Sequence, residues 1–365
     1  MTEKEHRTPP LHNGSVIVSI DAMGGDSGVD AIIGGMKMSA EIDSDLSFII
    51  HGDSSEIRAL LKSAPELAAK VDVRHSDKVI SMDEKPARAL RSGKDSSMWN
   101  TVTSVKDGEA AVAVSCGNTG ALMAISMLRL RKLPGVKRPA IAVLWPSRNP
   151  SGFNVMLDMG AEIKADPEDL LQYAIMGASY ARNGLAVKRP RVGLLNIGTE
   201  EHKGRPELQE AAKLIEATQD QSDLEYVGFV EGSDLPADHV DIIVTDGFTG
   251  NVALKAAEGT AKLIGDYLRA SFKHSVFSRL TAVIAMGALK RLKNRMDPRR
   301  ANGGVFLGLN GTVIKSHGGA DAVSVSAAIK LAATLAQNGF AEKLAARVAT
   351  AAAASDNTSS ETDEA

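Results

Sequence analysis

The stretch DIIVTDGFTGNVALK, residues 241–255, sets polar side chains where a buried strand should turn into a helix. An apolar run leads into Asp246 and Gly247, and Thr249 and Asn251 follow closely. We expect Asn251 to begin the helix, because Asn is a preferred N-cap residue. The first N–H groups of a helix have no partners inside it, so they can also bind an anion. The stretch therefore predicts either a simply capped helix or part of a polar site.

The same kind of turn follows several other apolar runs in the chain. These runs end at Asp21 before AMGGD, Ser115 before CGNTGA, Asp158 before MGAE, Asn196 before IGTEEHKG and Glu231 before GSD. A single turn of this kind is ordinary punctuation between a strand and a helix. In an open parallel sheet, however, ligands bind at the carboxyl ends of the strands. Several such turns in one sheet therefore predict a large polar site along one edge, suited to phosphate or another anion.

The elements that must position these turns are short apolar strands alternating with longer Ala-rich helices. We predict strands at residues 15–21, 46–53, 71–75, 109–117, 140–145, 153–160, 191–198, 224–232, 241–247 and 311–318. Their near-continuous apolarity indicates that helices cover both faces of a mainly parallel sheet. The alternation favours a doubly wound α/β fold, in which a Rossmann-like sheet lies between two helical layers. We expect one such domain over residues 15–348, with disordered tails at 1–14 and 349–365.

Composition limits the functional classes that need to be considered. The chain has 365 residues and a formal net charge of -3, so overall charge gives no support to a nucleic-acid role. A single cysteine, Cys116, excludes an internal disulfide framework and fits a reducing compartment. We find no secretory signal and no apolar run long enough to span a bilayer. These features predict a cytoplasmic protein.

Several familiar catalytic motifs are missing from the sequence. There is no G-x-S-x-G nucleophile elbow, and no histidine pair has metal-binding spacing. AMGGD falls short of the G-x-G-x-x-G pattern of dinucleotide sites. Cys116 could accept an acyl group, but a small thiol at a strand end is more simply a buried residue. We therefore expect neither a metal nor a nicotinamide cofactor.

An ordered set of motifs identifies a family resemblance. SIDAMGGD, KDSSM, GNTGALMA, NIGTEEHKG, VEGSD, VTDGFTGNVALKAAEG and LGLNGTVIKSHGGAD occur in this order between about residues 16 and 345. The chain resembles the bacterial acyl-ACP:phosphate acyltransferases, the PlsX family. The resemblance implies transfer of a long-chain fatty acyl group from acyl carrier protein to inorganic phosphate for phospholipid synthesis. It also implies a homodimer and a fold similar to phosphate acetyltransferases and isopropylmalate-type dehydrogenases. Cys116 and Glu162 stand where Ala or Gly, and Asn, would be expected.

The implied reaction needs positioning and charge stabilisation more than a strong base. Phosphate is mostly anionic at pH 7, since a comparable phosphoryl group has its last pKa at about 6. The leaving thiol, with a pKa of about 8.5, can depart as a thiolate. The enzyme must hold phosphate about 3–3.5 Å from the thioester carbonyl and stabilise the resulting oxyanion. We therefore expect direct attack by phosphate in a site rich in N–H donors, Asn and Lys.

Lys203 and Asn251 are the predicted catalytic residues. Lys203, in EEHKG, would attract phosphate or stabilise its charge, and Asn251 would donate an N–H bond to the carbonyl oxygen or the phosphate. A solvated loop lysine and a plain helix N-cap are the alternative interpretations. The residues predicted to bind phosphate or pantetheine are Asp21, Gly24, Gly25, Lys94, Ser96, Asn118, Thr119, Gly120, Asp246, Gly250 and His317.

Some of these residues are expected to act indirectly. Asp21 and Asp246 should orient Lys203 or a backbone loop, because like charges would repel phosphate. Lys94 with Ser96 and the adjacent serine could form another anion-binding helix start, and simple capping is the alternative.

Residues 262–300 are predicted to form a basic, amphipathic helical hairpin. Nine Lys or Arg and a single acid lie within 269–300, around the apolar run LTAVIAMGAL. The hairpin could pack in a dimer interface, contact the acidic carrier protein, or dip into the anionic cytoplasmic leaflet. The predicted contact residues for membrane or carrier are Val283, Ile284, Met286, Lys290 and Arg291. The membrane interpretation places the protein peripherally on the inner face of the cell membrane.

Two other functions compete with the acyltransferase. A phosphate acetyl- or butyryltransferase that uses coenzyme A would share the phosphate chemistry, but it would not need the hydrophobic excursion. A non-enzymatic, membrane-associated scaffold would keep the fold and tolerate replacement of Lys203 and Asn251.

Overall fold

The computed structural model describes residues 15–275, 277, 285–287 and 303–350. One sheet of eleven strands runs through these residues. The strands are β1 (Val16–Asp21), β2 (Leu46–Gly52), β3 (Val71–His75), β4 (Val112–Ser115), β5 (Ala140–Pro146), β6 (Phe153–Leu157), β7 (Arg191–Leu195), β8 (Glu225–Val230), β9 (Ile242–Val244), β10 (Gly304–Leu307) and β11 (Thr312–Lys315).

Helices connect most of these strands and cover both faces of the sheet. They are α1 (Gly28–Ile42), α2 (Ser54–Leu61), α3 (Pro65–Ala68), α4 (Pro86–Ser92), α5 (Ser97–Lys106), α6 (Thr119–Arg129), α7 (Pro167–Leu185), α8 (Pro206–Thr218), α9 (Gly247–Lys273) and α10 (Ala322–Gln337). Residues 340–350 are also helical, so the predicted domain boundary at 348 falls inside a helix. The predicted tails at 1–14 and 351–365, and most of the predicted hairpin, lie outside the described residues.

The strand order is β3-β2-β1-β4-β11-β10-β5-β6-β9-β7-β8. Seven of the ten pairings are parallel, which confirms the mainly parallel α/β sheet. The three antiparallel pairings join β10 to β11, β10 to β5, and β5 to β6. Strands β1, β4 and β11 therefore run opposite to β6, β9 and β7.

This reversal corrects the prediction of one polar site along one sheet edge. Because the two sets of strands point in opposite directions, their carboxyl ends lie at opposite edges of the sheet. The turns after β1, β4 and β11 form one group, and the turns after β6, β7 and β9 form another. The reversal depends partly on β10, which the sequence analysis did not predict because its short apolar run VFL lies between glycines.

Two hydrophobic cores flank the sheet. One lies beneath α1, α7, α8 and α10, and α1 packs closely on α10, where a Cβ on Gly35 would come within 2.5 Å of Val325. The other lies beneath α4, α5 and α6 and includes buried Met98 and Leu122. The first part of α9 packs against this second core through Leu254 and its neighbours. Helix α9 then extends far beyond the sheet, since 27 residues span about 40 Å.

Candidate functional site

Helix α9 begins five residues earlier than the sequence predicts. Its N-cap is Asp246, whose carboxylate accepts the Thr249 N–H at 2.8 Å, and Asn251 lies within the first turns of the helix. The interpretation of Asn251 as the N-cap is therefore wrong. The physical reason is that Asp246 directly follows the strand and already satisfies the free amides of the first turn. The Asn251 side chain is left with no capping role.

Asp246 holds α9 to the neighbouring loop as well as capping it. The Arg205 guanidinium donates to the second carboxylate oxygen of Asp246. Although burial acts to raise it, the hydrogen bonds from Thr249 and Arg205 hold the pKa of Asp246 below its ordinary value. Asp246 thus orients a backbone turn and Arg205, and its ion pair is not with Lys203.

The start of α9 is pressed against the loop that follows β6. A Cβ on Gly250 would lie 2.0 Å from the carbonyl oxygen of Asp158, so no larger residue fits there. The same close approach sets Asn251 against Gly160, where an added Cβ would lie 3.5 Å from the Asn251 amide nitrogen. Asn251 is exposed, and among the described residues its carboxamide has no hydrogen-bond partner. It is free to donate to a ligand.

Asp158 organises the loop that supports Asn251. Its buried carboxylate accepts the N–H groups of Ile141 at 2.8 Å and Glu162 at 2.9 Å, and burial raises its pKa. Glu162, one of the two departures from the family pattern, forms an ion pair with Arg138 at 3.1 Å. The glutamate at this position is therefore accommodated by an ion pair beside the loop.

Lys203 lies in the turn after β7. Its ammonium forms an ion pair with Glu200 at 2.8 Å, and the hydrogen bond to Glu200 raises the pKa of Lys203. The turn is closed by Asn196, whose amide donates to the Lys203 carbonyl at 3.0 Å. The Lys203 side chain is 42% exposed. A ligand that uses Lys203 must therefore compete with Glu200 for its charge.

The turns after β1 and β4 form the second group of predicted residues. Asp21 is fully buried and accepts hydrogen bonds from the Ser115 hydroxyl at 2.7 Å and the Met23 N–H at 3.2 Å. Burial raises the pKa of Asp21. Gly24 follows directly, and a Cβ there would lie 2.4 Å from the Asp21 carboxylate. Asp21 thus orients backbone, as predicted, while its carboxylate faces away from water.

Gly25 and Asn118, two further residues of this group, pack the turn after β4 against its neighbours. Gly25 lies against Cys116, where an added Cβ would come within 3.0 Å of the Cys116 Cβ. The Asn118 carboxamide oxygen caps α6 by accepting the Ala121 N–H at 3.0 Å, and its nitrogen donates to the carbonyls of Met82 and Glu84. Thr119 and Gly120, at the start of α6, are exposed. Asn118 therefore shapes the turn, and the exposed start of α6 carries the amides available to an anion.

The remaining predicted residues are placed by helix capping and by a local turn. Ser96 is buried and caps α5 by accepting the Trp99 N–H at 3.2 Å, which is the simple capping role. Lys94 is exposed just before it. His317 accepts the Gly319 N–H at 3.2 Å in the turn after β11.

Lys315 was not predicted as a site residue, although it stands within the motif GTVIKSHG. It ends β11, and its ammonium donates to the carbonyl oxygens of Cys116, at 3.3 Å, and of Ser316. Burial lowers the pKa of Lys315 to about 8. The sequence signal that could have found it is a lysine closing an otherwise apolar strand, next to a Gly-rich turn.

Cys116 is held in a state that does not favour nucleophilic attack. The thiol is buried, and burial raises its pKa to about 11. A thiol with that pKa is almost wholly protonated at neutral pH, and the thiolate is the nucleophilic form. The interpretation of Cys116 as a packing residue is therefore the one that its surroundings support.

Metal binding and membrane spanning can both be examined in the described residues. No group of three or more His, Cys, Asp or Glu in the described part of the chain is arranged to hold a metal ion. No described helix has the length and apolarity needed to cross a membrane. Of the predicted membrane-contact residues, Met286 is described and 57% exposed, while Val283, Ile284, Lys290 and Arg291 lie outside the described residues.

Solved phosphotransacetylases share this fold. A phosphotransacetylase from Streptococcus pyogenes aligns with a TM-score of 0.60 and 17% identity, covering 90% of this chain and 95% of that one. The EutD phosphotransacetylase from Staphylococcus aureus aligns with a TM-score of 0.56 and 13% identity, covering 90% and 96%. These likenesses confirm the predicted relation to the phosphate acetyltransferase fold, and at such identities they show the fold alone.

Sequence comparison shows the family. The family model described as "Fatty acid synthesis protein" matches residues 16–343. The phosphate acyltransferase of Paracoccus denitrificans (strain Pd 1222) is 62% identical over 345 residues, which cover 94% of this chain and 93% of that relative. The phosphate acyltransferase of Jannaschia sp. (strain CCS1) is 62% identical over 341 residues, 93% of each chain. The chain therefore belongs to the phosphate acyltransferase family of fatty acid synthesis, the PlsX family, and is an acyltransferase.

Proposed function

We propose that the protein transfers a long-chain fatty acyl group from acyl carrier protein to inorganic phosphate by direct attack of phosphate on the thioester. A phosphate oxygen forms a bond to the carbonyl carbon, the carbon–sulfur bond breaks, and the carrier leaves as a thiolate. The products are acyl phosphate and free carrier protein, and the acyl phosphate supplies phospholipid synthesis. The membership of a phosphate acyltransferase family supports the chemistry, while the acyl donor and the direct attack belong to this proposal.

The proposal of direct attack is supported by the types of residue that lie at the strand ends. Asn251 and the lysines at these turns can bind an anion and stabilise an oxyanion. The chain's one thiol is buried with its pKa raised to about 11, which is the opposite of an activated nucleophile. Such a site can hold phosphate beside a carbonyl without an acyl-enzyme intermediate.

Asn251 and Lys203 are assigned different tasks in this proposal. Asn251 has an uncommitted carboxamide on the exposed side of α9, so it can donate to the thioester carbonyl as negative charge develops there. Lys203 is already paired with Glu200, so its charge becomes available only when a stronger anion displaces that carboxylate. Substitution of each residue tests its task.

A donor assay tests the proposed function. Purified protein is supplied with acyl-ACP or with acyl-CoA of the same chain length, each with and without phosphate, and free thiol and acyl phosphate are measured. We expect thiol release that requires phosphate and is faster with acyl-ACP. A preference for short acyl-CoA would instead favour an acetyl- or butyryltransferase. Absence of phosphate-dependent release from either donor would contradict the proposal and favour a non-enzymatic scaffold.

We also propose that the active form is a homodimer joined through α9. Phe248, Val252, Leu263 and Tyr267 are large exposed apolar residues of this helix, and their spacing sets them on one face. Such a face on one long helix suits the same face of a second copy. Sedimentation equilibrium of a Leu263→Glu, Tyr267→Glu variant tests this. We expect a monomer, and an unchanged dimer would contradict the assignment.

Peripheral attachment to the inner face of the membrane completes the proposal. The acyl phosphate is an amphiphile whose chain is best delivered at a lipid surface, and the segment 269–300 has the composition of a membrane-surface helix. The same basic residues would also attract an acidic carrier protein. Binding to liposomes tests this attachment.

A further inference from the structure

Lys315 is a partly buried cation whose ammonium is held in a fixed direction. It closes β11, and its ammonium donates to the carbonyl oxygens of Cys116, at 3.3 Å, and of Ser316. These carbonyls belong to the turns that follow β4 and β11. Lys315 therefore stands at the meeting point of two strand-end turns, and a third is attached to them because the Asp26 N–H donates to the Gly318 carbonyl at 2.8 Å.

The charge of Lys315 is not neutralised by an ion pair. In the part of the chain that the structure describes, no carboxylate lies within 4.0 Å of its ammonium. The groups whose charges reach it are Asp21 and Asp26 in the turn after β1, the Cys116 thiol after β4, and Lys255 on α9. Asp21 and Asp26 favour the charged form, and Lys255 opposes it.

Lys255 links this group to Asn251. The two residues stand four positions apart on α9, so they share one face of the helix. Lys255 is also close enough to Lys315 for its charge to oppose protonation there. Helix α9 therefore places Lys255, one turn beyond Asn251, within reach of the charge of Lys315.

We propose that Lys315 binds the phosphate that attacks the thioester, with Lys255 of α9 as a second positive charge nearby. This inference rests on the proposed function, and it identifies the binding site of one substrate, phosphate. The Lys255 ammonium forms an ion pair with Glu258 at 2.8 Å, so Lys315 is the cation of the two that has no carboxylate partner among the described residues, and an anion beside it would supply one. The exposed start of α6, beside the Cys116 carbonyl, supplies backbone amides to the same anion.

The pH dependence of phosphate use follows from burial of Lys315. With a pKa of about 8, the side chain is charged at pH 7 and mostly neutral at pH 9, while phosphate stays anionic throughout this range. The ratio kcat/KM for phosphate reports the ionisation of the free enzyme. We therefore expect kcat/KM for phosphate to fall as pH rises through about 8. In Lys315→Arg the fall should move to higher pH, because an arginine stays charged.

Substitution of Lys315 by Met tests the assignment at pH 7. We expect KM for phosphate to rise by about 10- to 100-fold, the loss of one hydrogen bond to a charged group, while KM for acyl-ACP changes little. Lys255→Met should raise KM for phosphate by a smaller factor. Lys330→Met, at an exposed lysine of α10, is the matched control and should behave as wild type.

The effect of phosphate on stability separates this role from a structural one. Lys315→Met also removes the hydrogen bonds to the carbonyls of Cys116 and Ser316, so a lower melting temperature would not by itself identify a structural role, and the change that phosphate causes in the melting temperature is the deciding measurement. Phosphate should raise the melting temperature of the wild type and of Lys330→Met, but not that of Lys315→Met. An unchanged KM for phosphate in Lys315→Met would overturn the inference. If that variant fails to fold, a kcat/KM for phosphate that is flat from pH 7 to pH 9 in the wild type would overturn it instead.

The outcomes also distinguish this inference from the proposed function. A wild-type protein that releases no thiol from acyl-ACP in the presence of phosphate contradicts the proposed function. If phosphate still raises its melting temperature through Lys315, phosphate binding at Lys315 stands without that function. If the wild-type protein is active and the Lys315→Met variant has a normal KM for phosphate, the proposed function is supported and phosphate binding at Lys315 is rejected.

Discussion

At the scale of single residues, hydrogen-bond partners separate the candidates that are free to act from those that shape the backbone. Asp21, Asn118 and Ser96 spend their polar atoms on neighbouring turns and helix starts. Asn251, by contrast, has an exposed carboxamide with no partner among the described residues. Asn251 is therefore a side chain that the fold holds in place but does not use, whereas Lys203 must leave Glu200 to bind a ligand.

Replacement of Asn251 and Lys203 tests these roles. Asn251→Ala should lower kcat by about 10²–10³, as removal of an oxyanion donor does elsewhere, with little loss of stability because the side chain is exposed. Lys203→Ala should lower kcat/KM for phosphate. Lys213→Ala, at an exposed lysine of α8, is the matched control. Phosphate-dependent thiol release is the measurement, and wild-type rates in both variants would show that the site is placed wrongly.

The sequence predicts which residue types are present at the site better than it predicts what each one does. Asp246 was expected to orient Lys203 or a loop, and it caps α9 and pairs with Arg205. Asn251 was expected to be the cap, since the start of a helix after a short strand cannot be placed to the residue by pattern alone. Lys315 escaped prediction because its neighbours become visible only when β4 and β11 pair.

At the scale of elements, α9 is fixed by one close contact at its start. Gly250 lies against the backbone of Asp158, so the helix meets the loop after β6 at a distance that excludes any side chain. Farther along, Gly265 has open space around the position of a Cβ. The same substitution should therefore have opposite effects at these two glycines of one helix.

Replacement of Gly250 and of Gly265 by Ala tests this contact. Gly250→Ala should lower the free energy of unfolding by about 1–3 kcal/mol and reduce activity, because the added methyl group displaces Asn251 from the Asp158 loop. Gly265→Ala should raise the free energy of unfolding by about 0.5–1 kcal/mol, because alanine favours the helix. Denaturant unfolding measures both changes. Equal effects of the two substitutions would argue against the close contact.

The sequence predicted the strands correctly where each one lies in a clear apolar run. Ten predicted strands correspond to ten strands of the sheet, with ends that differ by a few residues. The missed strand, β10, is short and runs antiparallel to both its neighbours. Missing it hid the reversal of the sheet, because strand direction depends on pairing between residues far apart in the chain.

At the scale of the whole molecule, α9 connects the candidate site to an extension beyond the sheet. It starts at the turn after β9, places Lys255 within reach of the charge of Lys315, and leads into the basic segment 269–300. The site therefore lies on the helix that leads into the segment proposed to contact the membrane. Attachment to a lipid surface would then place the product near the membrane that uses it.

Liposome binding tests the attachment. A variant with Val283→Asp and Ile284→Asp should lose binding to anionic liposomes, since an acidic residue in an apolar face opposes insertion and repels anionic headgroups, while thiol release in solution continues. Ile42→Asp, at an exposed apolar residue of α1, is the matched control and should bind as wild type. Co-sedimentation with vesicles is the measurement. Unchanged binding of the double variant would contradict the membrane contact.

The most direct test concerns the order of the two chemical events. Enzyme is mixed with an equal amount of acyl-ACP, with or without phosphate, and the reaction is quenched at short times for titration of free thiol. If phosphate itself attacks the thioester, no thiol appears above background hydrolysis until phosphate is added, and each thiol released is then matched by one acyl phosphate. A burst of thiol equal to the enzyme concentration in the absence of phosphate would contradict direct attack, because it requires an acyl-enzyme intermediate.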